Sequence, residues 1–339
     1  MSITDVGYEA ATVEAAPVQA IQGRSPWRLA WARLRRDKVA IASAVVIVLF
    51  CAAALAAPAI AAAIGHPPAY QYSNGTTALG MPRGPGGKFW LGTDNLGRDI
   101  LVRLAYGARV SLEVSFVAVA IAVLTGLVVG MVAGFYGGFV DMLLARFTDA
   151  VLAFPYLVLA LALVAAFGAG LPMIIGVIAF FSWAQMARIV RGQTLSIKEK
   201  EYVEAARAVG ARPLRIMFLD ILPNVLAPVL VIGTLLIPVA IVFEATLSFL
   251  GAGIQQPTAS WGNMIADSEK FYQVAWWFLF FPAAALFIIT LAFNLLGDGI
   301  RDAIDPRTER IFAARRKRPA ATANPVDPLP PGQSAAEGA

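Results

Sequence analysis

Cysteine occurs once in this chain of 339 residues, at Cys51, and histidine once, at His66. A single cysteine closes no disulfide within the chain, and one of each cannot build a Cys or His metal cluster. His66 sits beside Pro67 and Pro68 and reads as a loop residue rather than a ligand, so zinc chemistry and histidine-based catalysis are excluded. Charge is scarce as well: Asp, Glu, Lys and Arg make up 14% of the residues, against roughly 25% in soluble domains. No Gly-x-x-x-x-Gly-Lys-[Ser/Thr] phosphate loop is present, because Gly84-Pro85-Gly86-Gly87-Lys88-Phe89 has the wrong spacing and ends without a hydroxyl for magnesium. No Gly-x-Ser-x-Gly elbow and no histidine pair occurs either. A chain lacking these parts must borrow any ATPase it uses.

What is abundant is apolar. Hydrophobic residues reach 58%, with 20 Phe and seven Trp. Residues 1–25 contain no apolar run of the kind a cleavable signal needs and read as a disordered cytoplasmic N-terminus. Residues 26–40 then place Trp27, Trp31 and Leu34 at i, i+4 and i+7, with Arg28, Arg33, Arg35, Arg36 and Lys38 on other faces. That pattern predicts a basic interfacial helix and equally the basic flank of a following span. Runs long enough to cross about 30 Å of hydrocarbon follow at 39–63, 110–135, 143–167, 171–190, 226–250 and 275–296. The fold expected is all-α, a polytopic bundle of six transmembrane helices.

The cations are placed unevenly. Six Lys and Arg lie in residues 1–38, seven in 186–223, and seven beyond 297, but only one in 251–274 and four in the long loop 64–106. Cytoplasmic segments carry the excess of Lys and Arg, so both ends and the 186–223 segment are expected on the cytoplasmic side of the membrane. The net charge of +5 then reads as orientation against anionic lipid and not as a nucleic-acid surface. From 307 to 339 the chain turns rich in Pro and Ala and reads as a disordered cytoplasmic tail.

The polar island at 201–228, reading EYVEAARAVGARPLRIMFLDILPNVLAP, lies between two apolar blocks. Glu201, Glu204 and the alanines open a helix, Gly210 ends it in a left-handed turn, and Pro213 opens a second short helix. Val203, Ala206 and Gly210 share a face of small side chains that another protein's surface could approach. Elsewhere, LGTDNLGRDILVRLAYGARVSL at 91–112 predicts a helix capped by Asp94 or Asn95, with Asp99 and Arg103 as an i,i+4 pair. Within the spans, Asp149 follows Arg146 by one turn and is expected to pair with it, whereas Glu244 has no cation in its own span. A charge at mid-membrane costs at least about 2.5 kcal/mol and is a functional candidate by default. Asn294 and Asp298 read as polar residues at the end of the sixth span.

These strings resemble one family. Glu204-Ala205-Ala206, three residues, Gly210 and then Leu222-Pro223 is similar to the "EAA" loop of ABC importer permeases, although Asp220 stands where that pattern has Ile. The 91–112 string, the stretch from Gly134 to Asp141 with Phe154-Pro155, and Phe243-Glu244-Ala245-Thr246-Leu247-Ser248-Phe249-Leu250-Gly251 resemble the C-type permease of dipeptide and oligopeptide importers. The resemblance spans residues 26–310. It implies a type I importer transmembrane domain: an N-terminal region at 26–110, a permease core at 111–306, and a cytoplasmic coupling helix within the loop 198–223.

The same resemblance implies partners: a B-type permease in a heterodimer, two ATPase subunits that hold ATP and Mg, and an extracytoplasmic solute-binding protein delivering peptide. No cofactor is expected on this chain, and it is expected to be a transport subunit rather than an enzyme. Glu204, Ala205, Ala206, Gly210, Leu222 and Pro223 are the coupling candidates, and Glu244 and Ser248 candidates for the translocation pathway. The alternative is a secondary transporter or channel in which Glu244 and Asp149 bind ions or protons.

Overall fold

The computed structural model describes residues 26–304. The disordered ends expected at 1–25 and 307–339, and the side chain of Trp27, lie outside the described residues. The chain runs through α1 (Pro26–Leu34), α2 (Lys38–Leu55), α3 (Ala57–Ile64), α4 (Ile100–Tyr136), α5 (Gly138–Ala153) and α6 (Tyr156–Phe167). It continues through α7 (Leu171–Lys198), α8 (Glu201–Ala208), α9 (Pro213–Arg215), a π-helical segment Ile216–Ile221, α10 (Leu222–Phe249), α11 (Trp261–Ser268) and α12 (Trp276–Ile304). Among the described residues the only β pairings are isolated bridges in the loop between α3 and α4.

Five helices are long and apolar enough to cross a membrane, and the count reaches six if α5 and α6 form one span. That third span departs from expectation. Its halves are bent by 84°, because Pro155 forces Phe154 into an extended conformation (φ −76°, ψ 137°) in which no helix continues. The first span also ends early. Asp37 starts α2 by accepting from the Val39 and Ala40 amides at 2.9 and 3.2 Å, but α2 stops at Leu55 and Pro58 opens the separate helix α3.

Close packing of α4 on α7 forms the main core. Gly126, Gly130 and Gly134 recur every fourth residue on one face of α4. A Cβ at each would lie 2.6 Å from the Met186 Cβ, 2.5 Å from the Ala187 carbonyl oxygen and 2.6 Å from the Thr194 Cβ. Only hydrogen at those positions lets the two backbones approach this closely. Val114, Ala118, Ile178, Val190 and Val225 complete that core, while Ile47, Ile241, Ile289, Phe293 and Trp261 form a second one where α2, α10, α11 and α12 meet. Val48, Leu49, Leu124, Val128, Val158 and Phe287 remain more than half exposed. A band of that extent has acyl chains as its natural solvent.

The loop between α3 and α4 is pinned by buried charge. Asp99, not Asp94 or Asn95, caps α4, accepting from the Leu101 amide at 2.8 Å. The other Asp99 oxygen lies 2.6 Å from His66 Nδ1, so the expected Asp99–Arg103 pair does not form. Asp94 instead faces both arginines, with Arg98 Nε at 2.6 Å and Arg103 Nε at 3.3 Å. Arg98 Nη1 donates to Gln256 Oε1 at 2.7 Å, and Gln256 donates to Asp267 at 2.6 Å. Burial pushes the Asp267 carboxyl above its ordinary range while Arg98 and Arg103 pull it back. The network ties this loop to the 250–268 segment. Asp94 and Arg98 are four residues apart, but the link from Arg98 to Gln256 spans 158 positions, beyond the reach of any local spacing.

Candidate coupling helix and mid-span cavity

Helix α8 carries three of the six coupling candidates, Glu204, Ala205 and Ala206. Glu201 and Glu204 occupy its first turn and Arg207 its last, each favoured by the helix dipole. Gly210 adopts φ +82°. The Ala211 amide reaches back to the Ala206 carbonyl at 3.0 Å and the Gly210 amide to Arg207 at 2.9 Å. Those two bonds make a Schellman turn, for which a left-handed residue is required. Glu204, Ala205 and Gly210 are exposed, Ala206 is half-buried, Leu222 is half-buried at the start of α10, and Pro223 is exposed beside it.

One expectation reverses here. Val203, on the face thought open to another protein, is fully buried within this chain. It docks α8 on the bundle and turns the opposite stripe outward. Tyr202, Leu214, Phe218, Leu219 and Val209 expose large apolar surfaces around it, Val209 to 89%. An apolar, partly charged knob at a bundle end has the character of a docking surface. The π-helical turn behind it, closed by the Leu222 amide on the Met217 carbonyl, passes directly into α10.

Glu244 and Ser248 occupy a different setting from the one expected of pathway residues. Glu244 has no exposed surface. It accepts from Ser111 of α4 at 2.8 Å and from Ser248 at 2.7 Å. Ser248 Oγ in turn accepts from the Ile254 amide at 3.1 Å, and the Ser111 oxygen lies 3.5 Å from the Trp261 amide. The carboxylate therefore knots α4 and α10 to the turn leading into α11. Asp149 pairs with Arg188 of α7 at 2.7 Å rather than with Arg146, and Asp141 engages Arg191 through both carboxylate oxygens. Both ion pairs fasten α5 to α7.

The opposite stripe of α10 lines a cavity of about 470 Å³. Its walls come from the break between α5 and α6 (Phe154, Tyr156), from α7 (Ser182, Gln185), from α10 (Val239, Phe243, Thr246) and from α12 (Thr290, Asn294). Asn294 is thus not a polar residue at a helix end: α12 runs on to Ile304, and the side chain faces this space. Reading the sequence missed Gln185 and Thr290, which are single polar residues in apolar runs, and the Gly126, Gly130, Gly134 repeat, whose four-residue spacing was there to find.

Five or six apolar spans, several interrupted or carrying proline, with a helical knob at one end, define a polytopic α-helical membrane protein. Comparison with known proteins sharpens the class. Residues 126–310 match the family described as "Binding-protein-dependent transport system inner membrane component", and residues 25–80 match "N-terminal TM domain of oligopeptide transport permease C".

The dipeptide transport system permease protein DppC of Alkalihalophilus pseudofirmus is 42% identical over 84% of this chain and 90% of its own length. The oligopeptide transport system permease protein OppC of Escherichia coli (strain K12) is 43% identical over 85% and 93%. A solved structure of the MetNI methionine ABC transporter superposes with a TM-score of 0.50 at 20% identity, over 60% of this chain and 96% of that one, and so shares the fold. The chain belongs to the binding-protein-dependent transport system inner membrane component family, a multi-pass permease of the type I ABC importer fold.

Proposed function

We propose that this chain is the C-type permease of an ATP-driven importer of di- and oligopeptides, paired with a B-type permease. Two ATPase subunits, carrying ATP and Mg, drive it from the cytoplasmic side, and an extracytoplasmic binding protein delivers the cargo. Both termini and α8 lie in the cytoplasm on this reading, and the chain itself holds no cofactor. The observation that carries the proposal is α8: a short helix anchored inward by one buried valine and displaying Glu204, Ala205, Arg207 and Val209 outward. It belongs to a chain more than 40% identical to dipeptide and oligopeptide permeases.

Motion applied to α8 has a stiff route inward. The Schellman turn at Gly210 fixes the α8–α9 geometry, and the π-helical segment continues without interruption into α10. One stripe of α10 lines the cavity and another carries Glu244, so displacing α8 re-aims the cavity wall relative to α4. Gly210→Val tests the lever. A β-branched residue at φ +82° costs on the order of 1–3 kcal/mol and distorts the turn. In the co-expressed assembly the variant inserts normally but loses cargo-stimulated ATP hydrolysis and peptide uptake by at least about tenfold, the scale of a 1.4 kcal/mol defect. Uptake at the unaltered rate sinks the lever.

A further inference from the structure

We infer that the cavity between the α5–α6 break, α7, α10 and α12 is a binding site for the main chain of a short peptide in transit, a reading that rests on the peptide importer proposed above. Its volume of about 470 Å³ falls within the roughly 300–1,000 Å³ of small-ligand sites. It lies at the middle of α7 and of α12, open on the side where Phe154, Tyr156 and Val239 are exposed, and no Asp, Glu, Lys or Arg lines it. An ion or a ligand chosen by its charge therefore finds no counter-charge there.

What the walls offer is neutral hydrogen bonding. The Thr290 hydroxyl is buried with no partner among the described residues, an arrangement that costs free energy unless a ligand or water completes it. Ser182 and Gln185 likewise make no hydrogen bond to a described residue, and Gln185 is exposed toward the space. Asn294 donates to the Thr290 carbonyl at 2.9 Å and keeps its own amide oxygen as a free acceptor. Amides and hydroxyls that both donate and accept match the alternating N–H and C=O of a peptide backbone whatever its side chains. Tyr156 and the apolar remainder of the wall give those side chains a surface without specific recognition. Such a site holds cargo weakly and indiscriminately, as a passage requires.

The test uses the full importer, co-expressed with its ATPases and binding protein and reconstituted in vesicles, with a mixture of di-, tri- and penta-alanine as probe. Gln185→Leu and Thr290→Val keep size and remove hydrogen bonding. Each is expected to lower uptake about tenfold, the scale of one hydrogen bond, while peptide-stimulated ATP hydrolysis stays within about twofold and reports an intact assembly. In a Cys51→Ala background, Gln185→Cys is expected to react with a water-soluble methanethiosulfonate and to be protected by penta-alanine. Uptake unchanged in both variants overturns the site and leaves the importer reading standing. So does a Gln185→Cys that cross-links to a second permease, or that reacts only with a lipid-soluble reagent. A wild-type assembly that imports none of the three peptides removes the peptide reading itself, and this inference with it.

Discussion

Glu244 shows how one buried carboxylate takes its role from the stripe of helix it stands on. Its oxygens are spent on Ser111 and Ser248, while Phe243, one residue away on α10, turns to the cavity instead. Replacing it with leucine leaves two buried hydroxyls without their acceptor, at a cost of about 1–3 kcal/mol. Glutamine preserves the shape and one acceptor, so Glu244→Gln is expected to lose less than half of that. Thermal unfolding of the purified assembly measures both variants. A Glu244→Leu protein that is fully stable yet fails to transport would return Glu244 to the passage and dismiss the knot. The residue was legible in the sequence as an ionisable group in an apolar run, but its facing was not. Helix α10 is apolar around nearly its whole circumference, so no periodicity marks which stripe meets α4 and which meets open space. Asp99 was misjudged for a related reason: its true partner, His66, lies 33 positions away along the chain, beyond the reach of local spacing.

Single elements were legible to the degree that their signals are local. Gly210 and Pro213 bracket α8 and α9 through backbone preferences that act within a turn, and both boundaries stand where those preferences put them. The bend at Phe154-Pro155 has an equally local cause, yet a run of hydropathy across residues 143–167 masks it. Helix pairing is another matter. The glycines at 126, 130 and 134 announce a close approach, but only the fold names α7 as what approaches. At Gly130 a side chain would drive into the Ala187 carbonyl and Val190, and overpacking of that kind costs about 1–3 kcal/mol or more. Gly130→Leu is therefore expected to abolish recovery of folded protein. Gly176→Ala in α7, where an added Cβ meets nothing within 4 Å, is expected to be neutral or to stabilise by up to about 1 kcal/mol. Detergent-solubilised yield and melting temperature separate the two, and equal losses at both glycines would refute close α4–α7 packing as the reason.

At the scale of the whole molecule the two ends of the bundle differ in construction, and that difference makes the proposed orientation testable. One end carries the loop between α3 and α4, fastened to the 250–268 segment by the buried Asp94, Arg98 and Arg103. The other gathers α1, the α8 knob and the last turns of α12, where the cations cluster and Arg33 of α1 donates to the Ala303 carbonyl at 3.3 Å. Basic segments stay on the cytoplasmic side, so the function proposed above has the knob inside and the fastened loop outside. Cys51 is the one native cysteine, so the geometry is open to labelling once it is replaced by alanine. Leu79, 85% exposed in the loop, and Val209, 89% exposed beside α8, stand at opposite ends. Leu79→Cys is expected to react with a membrane-impermeant maleimide added to spheroplasts, and Val209→Cys only after the membrane is opened. Labelling of both from one side would break the bundle's assigned topology, and labelling in the reverse order would put α8 outside the cell, out of reach of any cytoplasmic ATPase.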